Sequence, residues 1–157
     1  MVYVDSSALV KRYLEERGSD KLNERITESR HRVLTSVLSF AEVHAALARK
    51  LRERPPLRAA EYHWATARLD SDWRTYLTRV DLTTVVLDLI PDLVKRNSLR
   101  GSDAVHLASA LWFRESLEFD KVKGTSPETI IFATSDKQLA RAAQYEQLEV
   151  FNPEDAP

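Results

Sequence analysis

Short apolar runs of strand type alternate along this chain with longer stretches whose apolar residues recur at helical spacing. "VYV" (Val2–Val4) is β-branched and aromatic throughout, which predicts a buried strand. "SSALVKRYLEE" follows with Ala8, Leu9 and Tyr13 on one stripe, which predicts a helix capped by Ser6 or Ser7 and broken at Gly18. A second, mostly polar helix is expected over "SDKLNERITESR", then a strand around Val33–Thr35. "SFAEVHAALARKLRE" reads as a helix capped by Ser36 or Ser39 and ended by Pro55 and Pro56. A long amphipathic helix is expected from Leu57 to Arg79, with a break near Asp70. "RVDLT" reads as a brief strand or extended turn, and "TVVLDLIPDLVKRN" as a helix bent or restarted at Pro91. A strongly apolar helix then runs from "LRGSDAVHLASAL" to about residue 118, and "DKVKGTSPE" is a loop. "TIIFAT" (Thr129–Thr134) is the strongest strand signal, followed by a helix in "DKQLARAAQ" and a last strand in "LEVF". Strands that alternate with helices predict an α/β class with a parallel sheet, here a small three-layer α/β/α sandwich with a short, mostly parallel central sheet.

Composition narrows this picture without redirecting it. The 157 residues suit a single domain, expected over residues 1–150 with a loose tail at 151–157. Apolar residues at 43% and charged residues at 30% are ordinary for a globular chain, so a cytoplasmic protein without a membrane span is expected. Only 3 glycines argue for helices over a turn-rich all-β fold. The absence of cysteine excludes disulfides and thiolate chemistry. A net charge of −1 announces no global basic field for nucleic acid.

Charge changes the picture through where the acids fall. In open α/β sheets, ligands bind beyond the carboxyl ends of the strands. Asp5 directly follows the first strand and Asp136 lies just past the strand at "IIFAT". Asp103 stands in the first turn of the apolar helix, and Glu42 stands mid-helix among Leu38, Ser39, Ala45 and Ala46. Each has an ordinary structural explanation: N-capping for the aspartates, pairing with Arg49 for the glutamate. Spacing alone does not bring the four together, but if they converge, charge sets a condition. Carboxylates about 5 Å apart repel by roughly 3 kcal/mol per pair at an effective dielectric of 20, so a cluster must share protons or hold a cation. Oxygen-only ligation suits Mg²⁺ or Mn²⁺. His31, His44, His63 and His106 share no metal-ligand spacing, which argues against zinc, and His106 is expected to be a core or hydrogen-bonded histidine.

The wording around these acids carries a family resemblance. "VYVDSSALVKRYLEE", "VLTSVLSFAEVHAALARK", "LRGSDAVHLASAL" and "IIFATSDKQLARAA" resemble the PIN-domain nucleases, and more closely the VapC-type toxins of type II toxin–antitoxin systems. Asp5, Glu42, Asp103 and Asp136 match the pattern in type, order and context, over nearly the whole chain. The resemblance implies a PIN-like fold and a Mg²⁺- or Mn²⁺-dependent endoribonuclease in which these four acids are the catalytic and metal-binding set. It also implies a 5′-phosphate and a 3′-hydroxyl as products, a cognate antitoxin protein and a homodimer as partners. Ser6, Thr134 and Ser135 are candidate hydroxyls for orienting carboxylates or water. Lys11, Arg12, Arg49, Arg100 and Lys137 flank the motifs and are candidate RNA contacts. Trp64, Trp73 and Trp112 are candidate interface residues.

Other readings differ in chemistry. A phosphatase with Asp5 as nucleophile fits the strand-end position, although Ser7 stands where a second aspartate is usual. A PIN-domain nuclease or RNA-binding module without an antitoxin is the nearer alternative.

Overall fold

A computed structural model describes residues 1–28, 32–54, 56–121 and 129–155, with only the backbone described at residues 28 and 118–121. His31, Pro55 and most of the loop expected at 120–128 lie outside the described residues. Five strands form one parallel sheet: β1 (Val2–Val4), β2 (Val33–Ser36), β3 (Leu77–Val80), β4 (Ile131–Ala133) and β5 (Glu149–Phe151). Their spatial order is β3-β2-β1-β4-β5. The chain therefore builds outward from β1 to one edge, then returns to build outward to the other. The turning point lies between β1 and β4, where Val2, Tyr3 and Val4 pair with Ile131, Phe132 and Ala133.

Alternation along these short strands divides the core in two. Tyr3, Leu34, Val80 and Phe132 point to one face, and Tyr3 stacks on Phe132 at 5.3 Å between ring centres. That face is covered by α5 (Thr84–Asn97), α6 (Gly101–Lys121) and α7 (Lys137–Tyr145), through side chains such as Val86, Leu93, Leu107 and Leu139. Val2, Val4, Val33 and Leu77 point to the opposite face. It is covered by α1 (Ser6–Leu9), α2 (Ser19–Glu28), α3 (Leu38–Arg52) and α4 (Ala59–Thr75). Burial on both faces explains why β1 and β2 carry no solvent-facing alternation. The architecture is the expected three-layer sandwich. Among the described residues, no helix is long and apolar enough to cross a membrane.

Several boundaries differ from expectation, each for a local reason. The helix expected from Leu57 to Arg79 is unbroken but ends at Thr75, because residues 77–80 pair along β2 as the edge strand β3. Asp70 does not break α4; its carboxylate meets His44 Nε2 at 3.3 Å. α1 is a single turn continued by a 3₁₀ turn over Val10–Arg12, and its cap is Asp5 rather than Ser6 or Ser7. Ser39 does not cap α3; its hydroxyl lies 2.6 Å from that of Thr35. α5 continues through Pro91 to a left-handed Ser98.

Residues 151–155 are not the loose tail expected. Phe151 closes β5, Glu154 accepts from Lys11 Nζ at 2.6 Å, and the Asp155 carbonyl accepts from Lys21 Nζ at 2.6 Å. Gly18 makes this docking possible. Its φ is +87°, and a Cβ there would stand 2.6 Å from the Pro153 carbonyl oxygen.

Candidate active site

A cleft of about 390 Å³ opens beyond the carboxyl ends of β1 and β4, at the point where the strand order reverses. Asp5, Glu42, Asp103 and Asp136 all line it. Four separate segments supply them: the end of β1, the middle of α3, the first turn of α6 and the cap of α7.

Asp5 is buried and held on both oxygens. Oδ1 accepts from the Ala8 N–H at 2.9 Å, Oδ2 from the Thr134 hydroxyl at 2.9 Å, and Ser7 Oγ lies 2.9 Å from each. Burial pushes its pKa up, against the lowering influence of His106 and these hydrogen bonds. A carboxylate offers about four lone-pair sites, so three donors leave it room for one more partner. The same hydroxyls order the opposite wall. Ser7 Oγ accepts from the Ser135 N–H at 2.9 Å, and Thr134 Oγ1 accepts from the Asp136 N–H at 3.1 Å.

Glu42 meets a different set of donors. Its Oε2 accepts from the Ser6 hydroxyl and lies 2.8 Å from His106 Nε2. His106 Nε2 is also 2.9 Å from Ser6 Oγ, and Nδ1 is 3.1 Å from the Tyr3 hydroxyl. Burial raises the Glu42 pKa, but the hydrogen bonds from His106 and Ser6 outweigh it and leave the carboxyl below its ordinary range. Burial pushes the Tyr3 phenol far above its usual range. The Ser6–His106 contact is not the start of a serine-nucleophile triad. The group on Nδ1 is a neutral phenol, and the acid shares Nε2 with the serine.

Asp103 and Asp136 line the same cleft within electrostatic reach of each other. Burial raises the Asp103 pKa first, and the charge of Asp136 raises it further. Asp136 Oδ1 caps α7, accepting from the Gln138 and Leu139 N–H groups at 2.7 and 2.9 Å. In kind, the donors fit a hard divalent cation: carboxylate oxygens only, two of them unfavourable beside each other while both are charged. As placed, no three acidic or imidazole side chains among the described residues gather closely enough to ligate one ion.

The candidate RNA contacts divide. Arg49 and Arg100 are exposed on the cleft wall. Arg49 pairs with Glu53 at 3.7 Å and not with Glu42. Lys137 is exposed beside Asp136 and lines a neighbouring hollow. Lys11 and Arg12 correct the expectation. Lys11 is 4% exposed between Glu16 and Glu154, and Arg12 is paired to Asp72 at 2.7 Å and packed over the Tyr76 ring. Their charges are spent inside the fold. The Ser6 hydroxyl donates to Glu42 and the Thr134 hydroxyl to Asp5, whereas Ser135 reaches Ser7 through its backbone N–H and not its hydroxyl. Ser7 and Tyr3 were not read as site residues. Ser7 carried one signal, its place two residues after a helix-capping aspartate. The partners of Tyr3 lie about a hundred residues away in sequence.

A profile of the PIN domain family matches residues 2–145. The chain belongs to the PIN domain family. This PIN domain is similar to Ribonuclease VapC49 of Mycobacterium tuberculosis (strain ATCC 25618 / H37Rv), with 40% identity over 114 residues covering 71% of this chain and 75% of the relative. It is similar to Ribonuclease VapC46 of the same strain, at 40% over 115 residues covering 69% and 73%. Its fold resembles a chain of a toxin–antitoxin complex from Klebsiella pneumoniae, with a TM-score of 0.66 at 15% identity over 99% of this chain and 100% of that one. At that identity the likeness speaks to fold alone.

Proposed function

We propose that this PIN domain is a metal-dependent endoribonuclease that acts as the toxin of a toxin–antitoxin pair. One observation carries the reading: four carboxylates from four distant segments line a single cleft at the sheet's switch point. Its similarity to VapC ribonucleases supports RNA as the polymer cut.

Asp5, Asp103, Asp136 and Glu42 would hold Mg²⁺ or Mn²⁺ through oxygen. Such an ion supplies positive charge against a phosphodiester and lowers the pKa of a bound water. The protein's own groups do the rest. Ser7 and Thr134 fix the Asp5 carboxylate and tie the loop at 134–136 to it. Ser6 and His106 hold Glu42. Arg49 and Arg100, exposed on the cleft wall, and Lys137 beside Asp136 would meet RNA phosphates. A cognate antitoxin protein covering the cleft, a homodimer and a cytoplasmic setting complete the reading.

A phosphatase with Asp5 as nucleophile is disfavoured. Ser7, which stands where a second carboxylate is usual, is spent holding Asp5. The test is purified protein incubated with RNA and Mg²⁺ beside Asp103→Asn. Defined cleavage by the parent is expected, slowed at least about 100-fold in the variant, which corresponds to about 3 kcal/mol of barrier. Equal cleavage by both overturns the assignment.

A further inference from the structure

We propose that Tyr3 and His106 form a relay, reaching from the sheet core to the cleft, that positions the Glu42 carboxylate for its work there. The proposal rests on the reading of Glu42 as a functional group of the nuclease site and adds two residues to that machinery.

The direction of the relay follows from the donors available. His106 is 2% exposed and is followed in α6 by the buried Leu107 and Ala108. Buried polar atoms require partners, and this ring has one at each nitrogen. Nε2 faces a carboxylate oxygen at 2.8 Å, so a stable contact there needs the proton on Nε2. A neutral ring protonated at Nε2 presents a lone pair at Nδ1. The Tyr3 phenol, held protonated by burial, donates to it at 3.1 Å. Ser6 then has no lone pair to donate to on Nε2, and its hydroxyl turns to Glu42. Two donors thus converge on the single oxygen Oε2. A glutamate with three side-chain torsions is fixed in one orientation across the gap between α3 and α6.

Packing does not require this arrangement. A phenylalanine at position 3 would keep the stack on Phe132. Replacing both partners of a buried hydrogen bond by apolar groups of like shape can be neutral or stabilising. Two buried polar groups whose chain ends on a cleft carboxylate are explained by what they hold in place. Partners of this kind that orient ligating groups are typically worth 10–100-fold in metal affinity or activity.

The test uses the full chain with His106→Leu, His106→Gln and Tyr3→Phe. Folding is checked by circular dichroism and thermal melting, and Mn²⁺ affinity by calorimetry without RNA. His106→Leu is expected to stay folded and lose about 10–100-fold in Mn²⁺ affinity. His106→Gln keeps an N–H donor near the Nε2 position and should recover most of that loss. Tyr3→Phe keeps the stack on Phe132, so it should stay folded while losing Mn²⁺ affinity several-fold. In parallel, the ¹⁵N spectrum of the parent imidazole should show an Nε2-protonated His106 whose signals move in Glu42→Gln and Tyr3→Phe. An Nδ1-protonated ring, or a folded His106→Leu that binds Mn²⁺ as the parent does, overturns the relay. A parent that binds no Mn²⁺ and cuts no RNA overturns the nuclease reading instead, and the nitrogen spectrum still decides the relay.

Discussion

Gly18 shows how one backbone angle holds distant segments together. At φ +87° any side chain is strained, and the Pro153 carbonyl blocks the space a Cβ would need. Gly18→Ala is therefore expected to lower stability by about 1–3 kcal/mol, read as a drop in melting temperature. The sequence marked Gly18 only as a helix breaker; its contact with Pro153 lies beyond any local pattern. The four acids were different. Asp5, Asp103 and Asp136 sit at strand ends or helix starts, positions that short motifs can mark. Glu42 stood out as an acid among small apolar neighbours. His106 was legible as a hydrogen-bonded residue. Its partners were not, since Tyr3 reads simply as part of an apolar strand.

Among the elements, α7 carries two roles on one side chain. Asp136 both caps the helix and lines the cleft. Asparagine caps about as well as aspartate, whereas alanine costs about 1 kcal/mol. Asp136→Ala should lose that stability and Asp136→Asn should not, while both lose RNA cleavage. Equal melting of the two variants would remove the capping role, and retained cleavage in Asp136→Asn would remove the catalytic one. Elements with strong periodicity or β-branched runs were legible: β1, β2, α3, α5 and β4 stand close to where the pattern put them. β3 was displaced by a few residues because an edge strand of four residues is selected by pairing with β2, which no local window contains. The cap of α1 was misplaced because three polar residues, Asp5, Ser6 and Ser7, compete for the position. Only the network settles that Ser7 serves Asp5.

Taken together, the carboxylates make the fold's stability depend on pH in opposing ways. The raised pKa values of Asp5 and Asp103 mean the folded state binds their protons more tightly than the unfolded chain. By linkage their contribution falls as pH rises from the ordinary value of 3.8 through the raised folded values. Glu42, lowered from 4.5, acts in the other sense: its contribution is present above that value and is lost as pH falls through its folded pKa. Removing the raised carboxyl in Asp103→Asn should therefore lift the melting temperature of metal-free protein more at neutral pH than at mildly acidic pH. An Asp103→Asn shift of equal size at both pH values would contradict this.

The sheet order also has a consequence in time. β1 is made first but occupies the centre, and one of its two flanks is closed only by residues 131–133. Ribosomes deliver domains from the N-terminus, so β1 must wait for most of the chain before it is enclosed. Asp136 emerges later still. The cleft thus gains its fourth carboxylate only after most of the described chain has been made.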